Sequence, residues 1–218
     1  DGFNPTHICN HSDDAGRYAY NQQPQIGLWN LHCLAQSLLP LVDKEALLAS
    51  LATYQQQFET AFAEQLRSKL GFTQWQESDW NLVTDLFELM QATHTDWTIF
   101  WRTLSHWVAL NDNNALTDLV LDRAGLLAWL ERYQQRLKSD PQTATERSVA
   151  MLLSNPKYIL RNHLAEIAIR KAEDENDFSE IERLHDCLKK PFAEQVEYEA
   201  YAQLPPNWAS SLSISCSS

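Results

Sequence analysis

The chain has 218 residues, 44% of them hydrophobic, and carries a formal net charge of −12 at pH 7. This length is enough for one large domain or two small ones with a substantial core. The acidic balance argues against nucleic acid as a partner, because binding a phosphate backbone requires a basic face. No apolar run approaches the roughly 20 residues that span a bilayer, so no membrane partner is expected either.

The fold class follows from the spacing of the apolar residues. They recur at steps of three and four through most of the chain, and its 5 glycines leave little material for the turns of an all-β fold. We therefore predict a mainly α protein of about eight helices. Its expected parts are an irregular loop at 1–23, a helical lobe at 24–190 and an extended C-terminal tail at 191–218.

The first helices have recognisable ends. Pro24 suits the first turn of a helix. The clearest helical pattern runs without interruption from the capping residue Asp43 to Gly71, where a glycine is expected just past a helix end. Shorter helices are predicted after Ser78 and after Asp96.

Three tryptophans, Trp97, Trp101 and Trp107, fall within eleven residues of the next helix. They suit either a wall on which a ligand stacks or a packed core, and their helical spacing favours the core. A further helical stretch covers 116–137, with a break expected near Gly125.

Three later signals predict helix starts. Thr143 opens a Thr-x-x-Glu capping box. Asn155 followed by Pro156 has the pattern of an N-cap and a first-turn proline, so a helix is predicted to open there. A Ser-x-x-Glu motif at Ser179 predicts one more helix before the tail.

The four cysteines are too few for a secreted scaffold built on disulfides. Cys33 and Cys187 lie in helical segments and are expected to be small buried apolar residues. Cys9 and Cys216 lie in the loop and the tail.

The N-terminal loop places four potential metal ligands at alternate positions, namely His7, Cys9, His11 and Asp13. In an extended segment they would share one side, and zinc accepts nitrogen and sulfur ligands. The loop lacks the usual paired spacings, however, so a hydrogen-bonded polar loop is the simpler interpretation. A small zinc-binding helical protein using His7, Cys9 and His11 is an alternative.

No complete catalytic constellation is present in the sequence. It contains no G-x-S-x-G elbow, no H-E-x-x-H motif and no glycine-rich phosphate loop. His163 and His185 occupy helical positions near apolar faces and are expected to be structural. A stand-alone helical module that binds a protein partner is therefore a second alternative.

Three segments carry a more specific pattern. They are Ile8-Cys-Asn-His-Ser-Asp13 with Gly16-Arg-Tyr18, Gln23-Pro24 and Leu28-Trp-Asn-Leu31, then Asn155-Pro-Lys-Tyr-Ile-Leu-Arg-Asn162, and finally Pro205-Pro-Asn-Trp208 with Ser215-Cys-Ser-Ser218. In order and spacing they resemble the C-terminal portion of the selenoprotein O (SelO) family of protein adenylyltransferases.

The resemblance implies a pseudokinase with a protein-kinase-like fold, of which this chain would be the C-terminal lobe. Such a protein transfers AMP from ATP, with Mg²⁺, to Ser, Thr or Tyr hydroxyls of protein substrates. The family's ATP-binding, catalytic and metal-binding residues would lie upstream of Asp1. We therefore expect no catalytic, cofactor or metal residue in this chain, no activity from it alone, and the missing N-terminal half as a partner.

The chain opens on Asp1 without an initiator methionine, so it is expected to be a fragment or a processed product. A targeting signal would lie upstream, and cytoplasm is the default compartment.

By the same resemblance, residues 1–23 correspond to a kinase activation segment, with His11, Asp13 and Arg17 as candidate residues. Cys216 matches the region where some family members carry selenocysteine, which implies a redox-active end. A bond between Cys9 and Cys216 is the inferred redox gate, restraining the segment when oxidised and freeing it when reduced. Two unpaired surface thiols are the alternative.

Overall fold

A computed structural model describes residues 2–9 and 12–212, which form ten α-helices and one isolated β-bridge, so the mainly α prediction is confirmed. None of the helices in this described part is long and apolar enough to cross a membrane. The helices are α1 (Gln23–Leu38), α2 (Lys44–Ala52), α3 (Tyr54–Lys69), α4 (Asp79–Thr93), α5 (Trp97–Leu110), α6 (Asn114–Thr117), α7 (Arg123–Lys138), α8 (Ala144–Ser154), α9 (Asn162–Glu175) and α10 (Ser179–Leu188).

The described residues fall into two compact units. The smaller unit comprises 4–9 and 12–65, and the larger unit comprises 2–3 and 66–212. Helix α3 contributes to the smaller unit through residue 65 and to the larger unit from residue 66 onward.

Several helices begin where the sequence predicts. The Asp43 carboxylate caps α2, and the Asp96 carboxylate accepts the N–H of Ile99 in the first turn of α5. At α8, the Thr143 hydroxyl accepts the N–H of Glu146 while the Glu146 carboxylate accepts the N–H of Thr143, so the predicted capping box is confirmed. These caps satisfy backbone donors that lack partners at a helix start.

The uninterrupted helix predicted between Asp43 and Gly71 is wrong, because α2 and α3 meet at Thr53. The Thr53 hydroxyl and N–H both donate to the carbonyl of Ser50, a local bond that competes with helix continuation. The far end agrees with the prediction, since Gly71 has a left-handed φ of 68° just past α3.

The helix predicted to open at Asn155 and Pro156 is also wrong, because α8 ends at the preceding residue and α9 begins only at Asn162. The Asn155 side chain is buried. It donates to the carbonyl of Lys69 and to the hydroxyl of Ser105. Asn155 therefore joins distant parts of the larger unit, a role that local sequence does not reveal.

Two further boundaries lie close to the predicted positions. The break expected near Gly125 occurs a few residues earlier, between the end of α6 at Thr117 and the start of α7 at Arg123. Gly125 donates its N–H to the capping carboxylate of Asp122 in the first turn of α7. At α10 the Ser179 side chain makes no cap bond, and its N–H instead donates to the carboxylate of Asp177.

The core of the larger unit is aromatic and helical. Helix α5 packs on α8 and α4 packs on α7. Trp101 and Trp107 are buried and Trp97 is half-buried against the same cluster, so the interpretation of these tryptophans as core is confirmed. The Trp129 indole N–H donates to the carbonyl of Leu82, which satisfies its polar atom inside the core.

The described part of the tail is not simply extended, because it contains 3₁₀ helices at Val196–Ala202 and Asn207–Ser211. It is tied to the larger unit by its backbone. The Pro191 carbonyl accepts the N–H groups of Lys157 and Tyr158, and the Tyr158 hydroxyl donates to the carbonyl of Gln195.

Candidate functional site

The N-terminal segment of the smaller unit is closed into a loop by backbone hydrogen bonds. The N–H of Tyr20 donates to the carbonyl of His7 at 3.0 Å, and the N–H of Asn21 donates to the carbonyl of Pro5 at 2.8 Å. The first stretch of the segment is therefore paired with the residues that lead into α1. The loop has a defined shape that can position side chains.

Asp13 organises the turn within this loop. Its carboxylate accepts the N–H of Arg17 at 2.9 Å and the N–H of Tyr18 at 2.7 Å. Gly16 adopts a φ of 71° at the same turn, a conformation that strains other residues. Asp13 was singled out from the sequence, and the structure gives its carboxylate two backbone donors.

Arg17 extends from this turn over aromatic rings. Its guanidinium carbon lies 4.5 Å from the centroid of the Trp29 ring and 5.7 Å from that of Tyr18. Such cation–π contacts contribute about 0.5–1 kcal/mol at exposed sites. Within the described residues the guanidinium forms no hydrogen bond or ion pair.

An open cavity of about 680 Å³ lies beside the same turn. Its polar lining includes Thr6, Asp14, Arg17, Asn21 and Gln22, all in the smaller unit. The volume falls in the range of ligand-binding clefts, about 300–1,000 Å³. Sequence patterns did not indicate a cavity here, because it depends on the loop closing on itself.

The cysteines differ in exposure. Cys9 and Cys33 are exposed and Cys187 is buried, and none of these three described thiols is in a disulfide. The prediction for Cys187 is confirmed, and burial followed by the charge of Glu197 raises the pKa of its thiol. The prediction for Cys33 is wrong, because the face of α1 that carries it is exposed. Cys216 lies outside the described residues.

Among the described residues, no group of three His, Cys, Asp or Glu side chains is arranged to hold a metal ion. His7 and Cys9 belong to this part of the chain, whereas His11 lies outside it.

The larger unit contains a buried ion pair that sequence reasoning missed. Nη1 and Nη2 of Arg161 lie 2.7 and 3.2 Å from the two carboxylate oxygens of Asp96. The side chains of Arg161 and Asp96 are 1% and 4% exposed. The pairing joins the start of α5 to the residue before α9, and only the fold brings these positions together.

A second polar cluster holds the described tail. The Arg102 guanidinium donates to the carbonyl of Phe192 and to the carboxylate of Glu194, and Lys157 donates to Glu194 and Glu199. Hydrogen bonds from Lys157 and then Arg102 hold the pKa of Glu194 below its usual range. Burial alone would lower the pKa of Lys157, but the two carboxylates outweigh it and raise that pKa.

Lys69 occupies an unusual environment in the larger unit. Its ammonium nitrogen lies 5.9 Å from the ring centroid of Trp97 and 5.2 Å from that of Trp101, and it donates to the side-chain oxygen of Asn155 at 2.9 Å. Burial lowers the pKa of Lys69 to about 8. Among the residues that the structure describes, these contacts of the Lys69 ammonium, with Asn155 and the two tryptophan rings, include no carboxylate that would offset the burial.

The two histidines singled out from the sequence have different environments. His163 is buried with its ring edge-on to Trp208, at a centroid distance of 6.1 Å. Burial, followed by the charge of Arg161, lowers the pKa of His163, which favours a neutral structural residue as predicted. His185 is exposed, so the prediction that it lies against an apolar face is wrong.

The structure is that of a mainly helical protein whose smaller unit begins with a closed, polar loop. Comparison with known proteins assigns its family. The chain matches the family model described as protein adenylyltransferase SelO over residues 1–189. The chain belongs to the SelO family, which confirms the resemblance seen in the sequence. This assignment does not favour the helical-module and zinc-protein alternatives.

Similar proteins from three bacteria are named protein nucleotidyltransferase YdiU. The protein from Cupriavidus metallidurans is 49% identical over 234 residues, that from Variovorax paradoxus 48% over 219, and that from Vibrio cholerae 48% over 224. Each alignment covers 100% of this chain but only 43%, 44% and 45% of the respective relative. The chain thus spans less than half the length of these relatives.

Proposed function

We propose that this chain is the C-terminal helical portion of a protein adenylyltransferase that modifies Ser, Thr or Tyr hydroxyls of protein substrates. The observation that carries the proposal is the SelO family match, together with 49% identity to a protein nucleotidyltransferase along the whole chain. In the reaction, the hydroxyl oxygen forms an ester bond to the α-phosphorus of ATP. Pyrophosphate leaves and the hydroxyl proton is released.

Within this proposal, ATP and Mg²⁺ are bound by the part of the protein that corresponds to the rest of the relatives' length. The family resemblance implies that the residues that bind both groups lie outside this chain, so we assign neither group to it. The role of the chain is then to support the catalytic lobe, as the C-terminal lobe of a kinase-like fold does. The buried pair of Asp96 and Arg161 supports such a role, because it fixes the start of α5 in the core.

The proposed divisions are a loop at 1–23 that acts as an activation segment, a helical lobe at 24–190 and a tail at 191–218. The defined loop geometry around Asp13 and Arg17 is compatible with such a segment. The cytoplasmic location and the exclusion of nucleic acid stay predictions from the sequence.

We also propose the redox gate. The exposed thiol of Cys9 lies in the loop, where an external disulfide such as oxidised glutathione can reach it. Exchange would join Cys9 to Cys216 and convert the external disulfide into two thiols, so electrons and protons balance. Intact mass and peptide mapping without reductant test this step, and two free thiols after treatment with oxidised glutathione would contradict it.

The transfer itself is tested with the full-length protein, Mg²⁺ and ATP labelled at either the α- or the γ-phosphate. The proposal expects protein-bound label from α-labelled ATP and none from γ-labelled ATP. The isolated chain is expected to incorporate neither. Transfer of the γ-label would indicate a kinase and overturn the proposal, and so would the absence of any transfer by the full-length protein.

A further inference from the structure

We propose that Arg17 binds a carboxylate of an acidic peptide segment at the open cavity of the smaller unit. The inference rests on the proposed function and extends it, because it assigns a class of substrate in which Asp or Glu lies near the acceptor hydroxyl. Its starting point is a guanidinium at the cavity that has no hydrogen bond or ion pair within the described residues.

The Arg17 side chain is held in place before any ligand binds. Its guanidinium stacks at 4.5 Å over Trp29, and its backbone N–H is fixed by the carboxylate of Asp13. Asp13 is one of two acids close to Arg17 in the sequence, and its carboxylate accepts two backbone N–H groups. A planar guanidinium held this way loses little entropy when it binds a carboxylate through two parallel hydrogen bonds.

The rest of the cavity lining favours a peptide over a small inorganic anion. Thr6, Asn21 and Gln22 offer hydrogen-bonding side chains around the same space. Asp14 also lines the cavity, and its negative charge opposes a free anion but accepts the N–H of a peptide backbone. An acidic peptide supplies both groups, a carboxylate for Arg17 and N–H donors for Asp14.

The local charge makes this recognition depend on one residue. Arg17 is the single Lys or Arg in residues 1–43, within a chain whose net charge is −12. An acidic peptide is repelled by most of the surface and has one favourable contact in this stretch. Removing that contact should therefore abolish the preference for acidic sequences.

The test measures peptide binding to the full-length protein by fluorescence anisotropy, at low salt and without ATP. Two labelled peptides carry one Ser flanked by Glu or, in the matched peptide, by Gln. We expect the Glu peptide to bind about five-fold more tightly, as for a partly exposed charge pair. Arg17→Gln should remove this preference, and Arg17→Lys should retain only part of it because the ammonium lacks the planar fork.

The matched control is Lys44→Gln, which removes the next positive charge along the chain from an exposed position at the start of α2. It should leave the preference intact. The inference is overturned if Arg17→Gln and Lys44→Gln have equal effects, or if the wild-type protein binds both peptides equally. It is also overturned if a phosphoserine peptide binds tightly while the Glu and Gln peptides do not differ.

Binding is measured without nucleotide, so its outcome is separate from AMP transfer. A Glu preference that depends on Arg17, in a protein that transfers no AMP, would support the site while the proposed function failed. AMP transfer with no Glu preference would overturn the site alone.

Discussion

Arg161 and Asp96 form a bidentate ion pair inside the larger unit, with side chains only 1% and 4% exposed. The same carboxylate also accepts the N–H of Ile99 and so caps α5. Asp96 thus links a helix start to a distant arginine in one buried contact. Burying two charges is costly unless they pair with each other. Removing either side chain should therefore lower the free energy of unfolding strongly.

We expect Asp96→Ala to lower the free energy of unfolding by about 3–5 kcal/mol, because it removes the carboxylate that pairs with the buried Arg161 guanidinium. The double variant Asp96→Ala with Arg161→Leu should recover part of the loss. Urea unfolding of the four proteins in the cycle measures the coupling.

The matched control is the exposed pair of Arg132 and Asp85, whose side chains are 52% and 42% exposed. Asp85→Ala should cost no more than about 1 kcal/mol. If the exposed and the buried pair lost the same free energy of unfolding, burial would not be what determines the strength of the ion pair.

A second prediction concerns the attachment of the tail. Glu194→Gln weakens the contacts with Arg102 and Lys157, so amide hydrogen exchange should accelerate in residues 191–202. The substitution is expected to lower the free energy of unfolding by less than about 1 kcal/mol, because the Glu194 side chain is 57% exposed. Glu197→Gln is the control, since Glu197 is exposed and forms no ion pair among the described residues, and it should leave exchange unchanged.

The pH dependence of this attachment has a definite sign. The pKa of Glu194 is lowered in the folded protein, first by Lys157 and then by Arg102. The ionised Glu194 carboxylate therefore contributes its full stabilisation above the unfolded pKa of about 4.3. This stabilisation is lost as the pH falls through the folded pKa. Protection of residues 191–202 should decrease in that acidic window, and less so in Glu194→Gln. A decrease of the same size in both proteins would assign the effect to other groups.

The sequence predicted those features that depend on neighbours along the chain. The capping box at Thr143 and the tryptophan core of α5 follow from local spacing, which is why both are confirmed. The role of Asn155 could not be predicted, because its partners Lys69 and Ser105 are distant in sequence. The break at Thr53 was missed because apolar periodicity continues across a short interruption.

The same distinction, between features set by neighbours along the chain and features set by distant contacts, applies to the candidate site. Asp13 and Arg17 were selected through resemblance to a family, and the structure adds the Asp13 backbone contacts and the Trp29 ring beneath Arg17. The cavity arises because the backbone hydrogen bond between Tyr20 and His7 closes the loop. No sequence motif predicts this hydrogen bond.

A third prediction concerns thiol reactivity. In the reduced protein, iodoacetamide should modify Cys9 and Cys33 rapidly, because both are exposed. Cys187 should react only after unfolding, since it is 1% exposed and burial raises the pKa of its thiol. Peptide mapping at successive times measures the three rates. Labelling of Cys187 as fast as that of Cys33 in the folded protein would contradict its burial.

The last prediction concerns Lys69, whose pKa is lowered from 10.5 to about 8 by burial. Trace acetylation followed by peptide mapping, over pH values from about 6 to about 11, should give a midpoint near 8 in the folded protein. In urea the midpoint should return to the ordinary value. Asn155→Asp places a carboxylate beside the ammonium and should raise the folded midpoint.

The lowered pKa of Lys69 also fixes the sign of a stability effect. Between pH 8 and 10.5 the unfolded chain holds the proton that the folded protein has already released. At this site the unfolded state then binds more protons, so the contribution of Lys69 to the free energy of unfolding rises with pH across this window. Lys69→Met lacks this titrating group, so in urea unfolding over the same range its free energy of unfolding should have a less positive slope against pH than that of the wild-type protein. A wild-type profile with the same slope as that of Lys69→Met would contradict the lowered pKa, because the two proteins differ only in this titrating group.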